Sequence, residues 1–272
     1  MVAIVIAIII TIAILAVISL YAYFRVRTLS DELLNKGLTL EETTKRNEYL
    51  RKAALLFNEN AILAYACNNP DMFVKPKMQP FNYSVGWHRF PCIFADHYFA
   101  KGLKKWISGE QKAFMKRVYA FEGLEEDCDD LIEQAINKLN TKTNDVVIVF
   151  MPCSNFIRFN NKFQHLCWKL QRKGYNANHL TYPVLSIRDH ITKGTNSDEL
   201  MSHVGRIIGI EKRKVIVIDD IFNTGKTLTA FAKELKKCKA QLVGAVFVSK
   251  VFYPPTNMLA AWLKIFFSHH RE

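Results

Sequence analysis

The six cysteines of this 272-residue chain (Cys67, Cys92, Cys128, Cys153, Cys167 and Cys238) follow no metal-ligand spacing, and neither do its eight histidines. That absence argues against a zinc framework. Cysteines this few and this scattered also exclude a disulfide-stapled fold, and point to reduced thiols in a reducing compartment. No nucleic-acid-binding motif accompanies the net charge of +12, which is spread along the chain with its densest group at Lys101, Lys104, Lys105, Lys112, Lys116 and Arg117. Nucleic acid is therefore a partner that the charge permits and no motif supports. A basic surface of this kind also suits anionic lipid.

Charge, proline and glycine are all missing from Val2 to Phe24, where Thr11, Ser19, Tyr21 and Tyr23 are the polar members. About 20 apolar residues span the hydrocarbon core as a helix. A secretory signal peptide would carry a basic n-region and a shorter apolar core. Here the stretch ends in the aromatic run Leu20-Tyr-Ala-Tyr-Phe24 instead, which suits a membrane interface. The reading is a single-pass membrane anchor over residues 2–24. Arg25, Arg27, Lys36, Lys45, Arg46, Arg51 and Lys52 follow it, and no basic side chain precedes it. The positive-inside rule then places the C-terminal body in the cytoplasm.

The most informative stretch runs Val215-Ile-Val-Ile-Asp219-Asp220-Ile-Phe-Asn223-Thr224-Gly225-Lys226-Thr227-Leu228. Four β-branched residues lead into two adjacent carboxylates, then a small polar turn, then an amphipathic helix. This predicts a buried parallel strand with an acidic pair at its carboxyl end and a nest of backbone N–H groups at a helix N-terminus. Carboxylates beside an anion nest suit a vicinal diol next to a phosphate, as in a ribose 5-phosphate. Gly225-Lys226-Thr227 ends like a P-loop, but that motif needs a glycine where Asp220 stands.

The surroundings agree. Asp145-Val-Val-Ile-Val-Phe-Met151 is a second apolar strand, and Phe163, Leu166, Cys167 and Leu170 fall at helical spacing up to Gly174. A short strand is expected around Leu180 to Leu185, then a polar loop from about Ile187 to His203. Leu228, Phe231, Ala232 and Leu235 make another helical face, and Leu242 to Val248 another strand. Alternating strands and helices mean a parallel α/β sheet, whose ligands bind outside the strands' carboxyl ends.

The Asp219–Thr227 stretch resembles the phosphoribosyl-pyrophosphate (PRPP) motif of type I phosphoribosyltransferases. Pro152 to Asn161, with Arg158 and Phe159, and Phe121-Glu122-Gly123 resemble segments of the ComF-like branch, although Glu122 replaces a lysine and the paired Cys-x-x-Cys zinc elements of that branch are absent. The resemblance implies that Asp219 and Asp220 are catalytic and hold the ribose hydroxyls. It further implies that Asn223, Thr224, Gly225, Lys226 and Thr227 wrap the 5-phosphate, that Cys153, Ser154 and Asn155 contact pyrophosphate, and that Mg2+ accompanies PRPP. The metal's protein ligands stay unknown. Hypoxanthine–guanine phosphoribosyltransferases carry an aspartate at the position of Asn223, and an amide cannot act as the base proposed there. The alternative to a transferase is a non-catalytic PRPP or nucleotide sensor or scaffold, in nucleic-acid uptake, regulation or defence.

The expected organisation is an anchor over 1–24, a helical and irregular connection over 25–117, a phosphoribosyltransferase-like domain over 118–252, and an apolar tail over 253–272. In the connection, Thr39-Leu-Glu-Glu42 reads as a capping box opening one helix to about Ala66. Its apolar face fits the body or a second copy of the chain, a homodimer. Pro70 to Pro91 reads as irregular. Leu124 to Leu139 reads as a helix with a solvated acidic face. Trp262, Ile265, Phe266 and Phe267 form an apolar helical stretch suited to capping the sheet or touching lipid.

Overall fold

The computed structural model describes residues 2–123, 128–139, 146–152, 156–178 and 209–268. The chain forms two compact units, one of residues 1–73, 101–109 and 253–272, the other of 74–100 and 110–252.

The first unit is helical. Helix α1 spans Val2–Thr39, and its stretch from Ile8 is long and apolar enough to cross a membrane. The helix outruns the apolar segment because nothing stops it at Phe24, and its second half has a packing partner. Ser30 donates to the Ala53 carbonyl at 3.0 Å, and Gly37 lies so close to Leu50 that a Cβ there would meet its Cδ2 at 2.9 Å. The single helix expected from Thr39 to Ala66 is instead two, α2 (Thr43–Leu55) and α3 (Glu59–Asn68). Phe57 adopts φ 59°, and the Asn58 side chain caps α3 by accepting the Ala61 N–H at 3.1 Å. The expected capping box does not form. Thr39 Oγ1 donates back to the Lys36 carbonyl at 2.9 Å, closing α1, while Glu42 makes no side-chain cap.

Arg46 holds this unit together from inside. Buried on α2, it donates to Asn68 Oδ1 at 2.9 Å and to the carbonyls of Leu38, Leu40, Trp106 and Ile107 at 3.0–3.3 Å. Burial lowers its pKa, and the fan of oxygens offsets the desolvation. A four-residue turn of helix, α4 (Pro70–Phe73), and the C-terminal α9 (Met258–Phe267) complete the unit.

The second unit carries a mixed sheet of six strands, β1 (Phe81–Val85), β2 (His88–Phe99), β3 (Val146–Phe150), β4 (Ala177–Asn178), β5 (Lys214–Phe222) and β6 (Gln241–Phe252). Their order is β1-β2-β6-β5-β3-β4; β1 and β2 pair antiparallel and every other pair is parallel. The irregular connection expected over Pro70 to Pro91 thus supplies an edge hairpin. Phe81, Tyr83 and Val85 alternate inward, Gly86 (φ 59°) makes the turn, and Pro91 is tolerated beside the edge. The helices are α5 (Gly109–Gly123), α6 (Asp129–Lys138), α7 (Phe156–Arg172) and α8 (Lys226–Lys237).

All five residues of β3 are buried, as both faces of a parallel sheet require. Phe150, Phe163, Phe231 and Phe247 are among the fully buried side chains of the core, each contributing about 1.5–3 kcal/mol of transfer energy. Cys92, Cys128 and Cys167 are buried in this unit, and Cys238 is half-buried; Cys67 is buried in the first. Burial pushes the Cys67 thiol up to about 12 and raises that of Cys92 as well, so neither is a ready thiolate.

Candidate functional site

Strand β5 sits between β6 and β3 and outruns β3. The β3 ladder ends where Phe150 pairs with Ile218, followed by the Met151 N–H on the Ile218 carbonyl at 2.8 Å. Asp219 to Phe222 still pair with β6 but have no β3 neighbour. The strand changes character there. Val215 to Ile218 are buried, whereas Asp219, Asp220 and Ile221 are half-buried. An acidic pair can exist at this point because, among the described residues, one flank of the strand makes no further sheet pairing.

Each carboxylate is fixed by its neighbours. Asp219 Oδ1 accepts the Asp220 N–H at 2.9 Å, and Asp220 Oδ1 accepts the Ile221 N–H at 2.7 Å. Asp220 Oδ2 accepts a hydrogen bond from the Lys162 ammonium, whose side chain is only 2% exposed. Burial, the Asp220 charge and the hydrogen bond that a protonated Asp219 gives to that carboxylate raise the Asp219 pKa well above the usual aspartate range. Burial opposes the Asp220 charge too, but the Lys162 ammonium and the bond with Asp219 outweigh it and hold Asp220 low. Asp219 is thus the member of the pair that takes up a proton more readily, Asp220 the one that keeps its charge, and Lys162 the counter-charge. Lys162 offsets negative charge in the cluster, which lowers the electrostatic cost of bringing in a phosphorylated ligand.

Lys162 comes from α7, where Phe159, Phe163, Leu166, Cys167 and Leu170 form the buried stripe. It lies on that stripe, one residue before Phe163, with its ammonium 5.0 Å and 5.3 Å from the ring centroids of Phe121 and Phe163. The sequence reading missed it. The available signal was a lysine at a core position of an amphipathic helix.

The turn after β5 is Asn223, Thr224 and Gly225. Asn223, Thr224 and Lys226 are exposed, Thr227 is half-buried and Gly225 is buried. Gly225 takes φ 79°, the left-handed region that glycine favours, and serves as N-cap of α8 without a side chain to cap it. The first N–H groups of α8 are thereby left to an outside acceptor. Tyr83, on β1, packs against this turn. Its hydroxyl donates to the Gly225 carbonyl at 3.1 Å and lies 2.9 Å from Thr229 Oγ1, and its ring meets Phe222 edge-on at 5.5 Å. A Cβ on Gly225 would overlap that hydroxyl, so the glycine serves both the turn and the tyrosine. Tyr83 is the second residue missed from sequence, inside a segment read as irregular. On β6, Lys250 pairs with Phe222 and lies 6.0 Å over its ring; burial lowers its pKa.

The structure therefore brings Asp219 and Asp220 together with Asn223 to Thr227 at one strand end. Cys153, Ser154 and Asn155, the strand expected at Leu180 to Leu185, and the loop from Ile187 to His203 lie outside the described residues, as do Glu125, Glu126 and Asp127. Among the described residues, no group of three or more His, Cys, Asp or Glu side chains gathers as a metal site. Magnesium commonly takes one or two carboxylates and completes its shell with ligand oxygens and water, so an acidic pair beside the Asn223 to Thr227 turn fits it without a protein cage.

The family model for the phosphoribosyl transferase domain matches residues 115–251. No curated protein matches the chain.

Proposed function

The chain belongs to the phosphoribosyl transferase domain family, and from that premise we propose that it binds PRPP with magnesium and transfers the phosphoribosyl group to an acceptor, held at a membrane by residues 2–24. Within the family the proposal is the ComF-like branch, on the Pro152 to Asn161 and Phe121 to Gly123 stretches. The observation that carries the reading is the succession, within one strand end, of the half-buried pair Asp219 and Asp220 and the uncapped N-terminus of α8.

In this reading the Asn223 to Thr227 turn takes the 5-phosphate through backbone N–H groups and the Thr224 and Thr227 hydroxyls. Asp219 and Asp220 orient the ribose hydroxyls, with Lys162 keeping Asp220 charged and in place. Cys153, Ser154 and Asn155 contact pyrophosphate. Magnesium, when bound beside the acidic pair, neutralises charge on the leaving group. The bond from ribose C1 to pyrophosphate breaks, a bond from C1 to the acceptor forms, and the acceptor releases its proton. Asn223, an amide, cannot take that proton. An oxocarbenium-like state of this kind needs electrostatic stabilisation more than a strong nucleophile.

The second reading is a non-catalytic PRPP or nucleotide sensor or scaffold, acting in nucleic-acid uptake, regulation or defence. One observation favours it: Asn223 stands where a proton acceptor would serve a purine. Pyrophosphate release from PRPP, measured on the full chain across a panel of bases and amines, separates the two. Release with one acceptor supports the transferase. PRPP binding without release from any acceptor, together with a change in oligomeric state or partner binding, replaces it with the sensor. In both readings the body is cytoplasmic, by the positive-inside rule.

A further inference from the structure

Helix α9 turns a row of large apolar side chains away from its own unit. Ala261 and Ile265 are its buried members. Leu259, Leu263, Phe266 and Phe267, spaced as one helical stripe, are 40–59% exposed. Single exposed apolar residues are ordinary on a protein surface, but a contiguous stripe of four is not.

The helix has a fixed level relative to α1, because both belong to the same unit. Trp262 Nε1 donates to the Leu55 carbonyl at 3.2 Å, and its ring contacts Phe57 at 5.9 Å and stacks on Phe266 at 5.2 Å. Phe57 in turn lines a cleft of 610 Å³ together with Tyr23, Val26 and Arg27 of α1. Through Trp262 and Phe57, α9 thus borders the same cleft as the point on α1 where the uncharged run stops and Arg25 and Arg27 begin. The run from Val2 to Phe24 is about 34 Å long as a helix, enough to place that point at the headgroup boundary of a bilayer. Tyr23, Phe24, Trp262, Phe266 and Phe267 are the residue types that favour such a boundary. Charge agrees: α9 has no acidic residue, and Lys264, its one charged side chain, is exposed.

We propose that the outward stripe of α9 is a second membrane contact, lying in the interface of an anionic bilayer beside α1 and pressing the first unit flat against the surface. The inference rests on the reading of α1 as a membrane anchor. A helix held this way buries its apolar face about 5–10 Å into the headgroup and acyl boundary, and cationic flanks strengthen it on anionic lipid.

The test uses the full chain in vesicles of phosphatidylcholine and phosphatidylglycerol containing a lipid with a photoreactive diazirine at an acyl carbon near the glycerol. After irradiation and trypsin digestion, mass spectrometry should find lipid adducts on the peptides covering 251–271 as well as on the peptide 1–25. Moving the diazirine to the acyl terminus should reduce the adducts on 251–271 several-fold while those on 1–25 persist. Adducts on 1–25 with none on 251–271 would overturn the inference and leave the anchor standing. Absence from 1–25 as well would remove the anchor reading. A chemical cross-link joining the 251–271 peptides of two chains, in place of lipid adducts, would assign the stripe to a second copy and overturn the inference too.

Discussion

Lys162, on the buried face of α7, donates its ammonium hydrogen to Asp220 Oδ2 on β5 and so joins the helix after β3 to the acidic pair. Replacing Lys162 with Met keeps the volume and removes the charge. Two adjacent carboxylates then share a half-buried site without a cation, at a cost of roughly 1–3 kcal/mol of stability. Urea unfolding should show the loss, and calorimetry should show weaker PRPP–magnesium binding. Asp220 has a lowered folded pKa, so its stabilising contribution is complete above the ordinary value of about 4 and fades as pH falls through the lower folded value. Without Lys162 that acid limb should move to higher pH. An unmoved limb with unchanged stability would show that the ion pair is unimportant.

Asp219 has the opposite linkage. Burial, followed by the Asp220 charge, raises its folded pKa well above the unfolded value. Its contribution is complete below about pH 4 and declines as pH rises toward and through the folded pKa, so holding Asp219 in this buried place costs stability in neutral solution. Asp219→Asn removes that cost and still offers an N–H to Asp220. The variant should be more stable at pH 7 by roughly 1 kcal/mol while PRPP–magnesium affinity falls by roughly 1–3 kcal/mol. A gain in one quantity and a loss in the other is the signature of a site residue. Equal losses in both would mark Asp219 as structural.

Topology can be read from one exposed position. Ser30 is buried against α2, whereas Asn35 is exposed farther along α1. With the body in the cytoplasm, Asn35→Cys should resist a membrane-impermeant thiol reagent in intact cells and react after permeabilisation. Reaction in intact cells would reverse the orientation.

The sheet was readable from sequence where burial is continuous. Val146 to Phe150, Val215 to Ile218 and Leu242 to Val248 are apolar runs, and all lie within parallel strands. The β1–β2 hairpin was not, because Pro70, Pro80 and Pro91 mask the alternation of Phe81, Tyr83 and Val85, which tertiary pairing with β6 through β2 makes decisive. The break of the long helix at Phe57 was missed because Asn58 was not read as a cap. In the site, Asp219, Asp220 and Gly225 were legible because motif chemistry is local. Lys162 and Tyr83 reach it across sequence separations of 58 and 142 residues, which no local pattern records.

The Tyr83–Gly225 contact gives the last prediction. Gly225→Ala faces two penalties, a left-handed φ of 79° and overlap of its Cβ with the Tyr83 hydroxyl. Together these should cost about 1–3 kcal/mol, read as a lower urea midpoint. Tyr83→Phe loses the bonds to the Gly225 carbonyl and Thr229, at about 0.5–1.5 kcal/mol. Tyr83→Ala goes further and removes the ring that a Cβ on Gly225 would strike. In that background Gly225→Ala should therefore cost less than it does alone, because the backbone strain remains but the overlap is gone. PRPP binding should fall in Gly225→Ala whether the protein is a transferase or a sensor, since both need the same turn. Additive costs in the double variant would mean that backbone strain alone fixes the glycine, and that Tyr83 yields without cost.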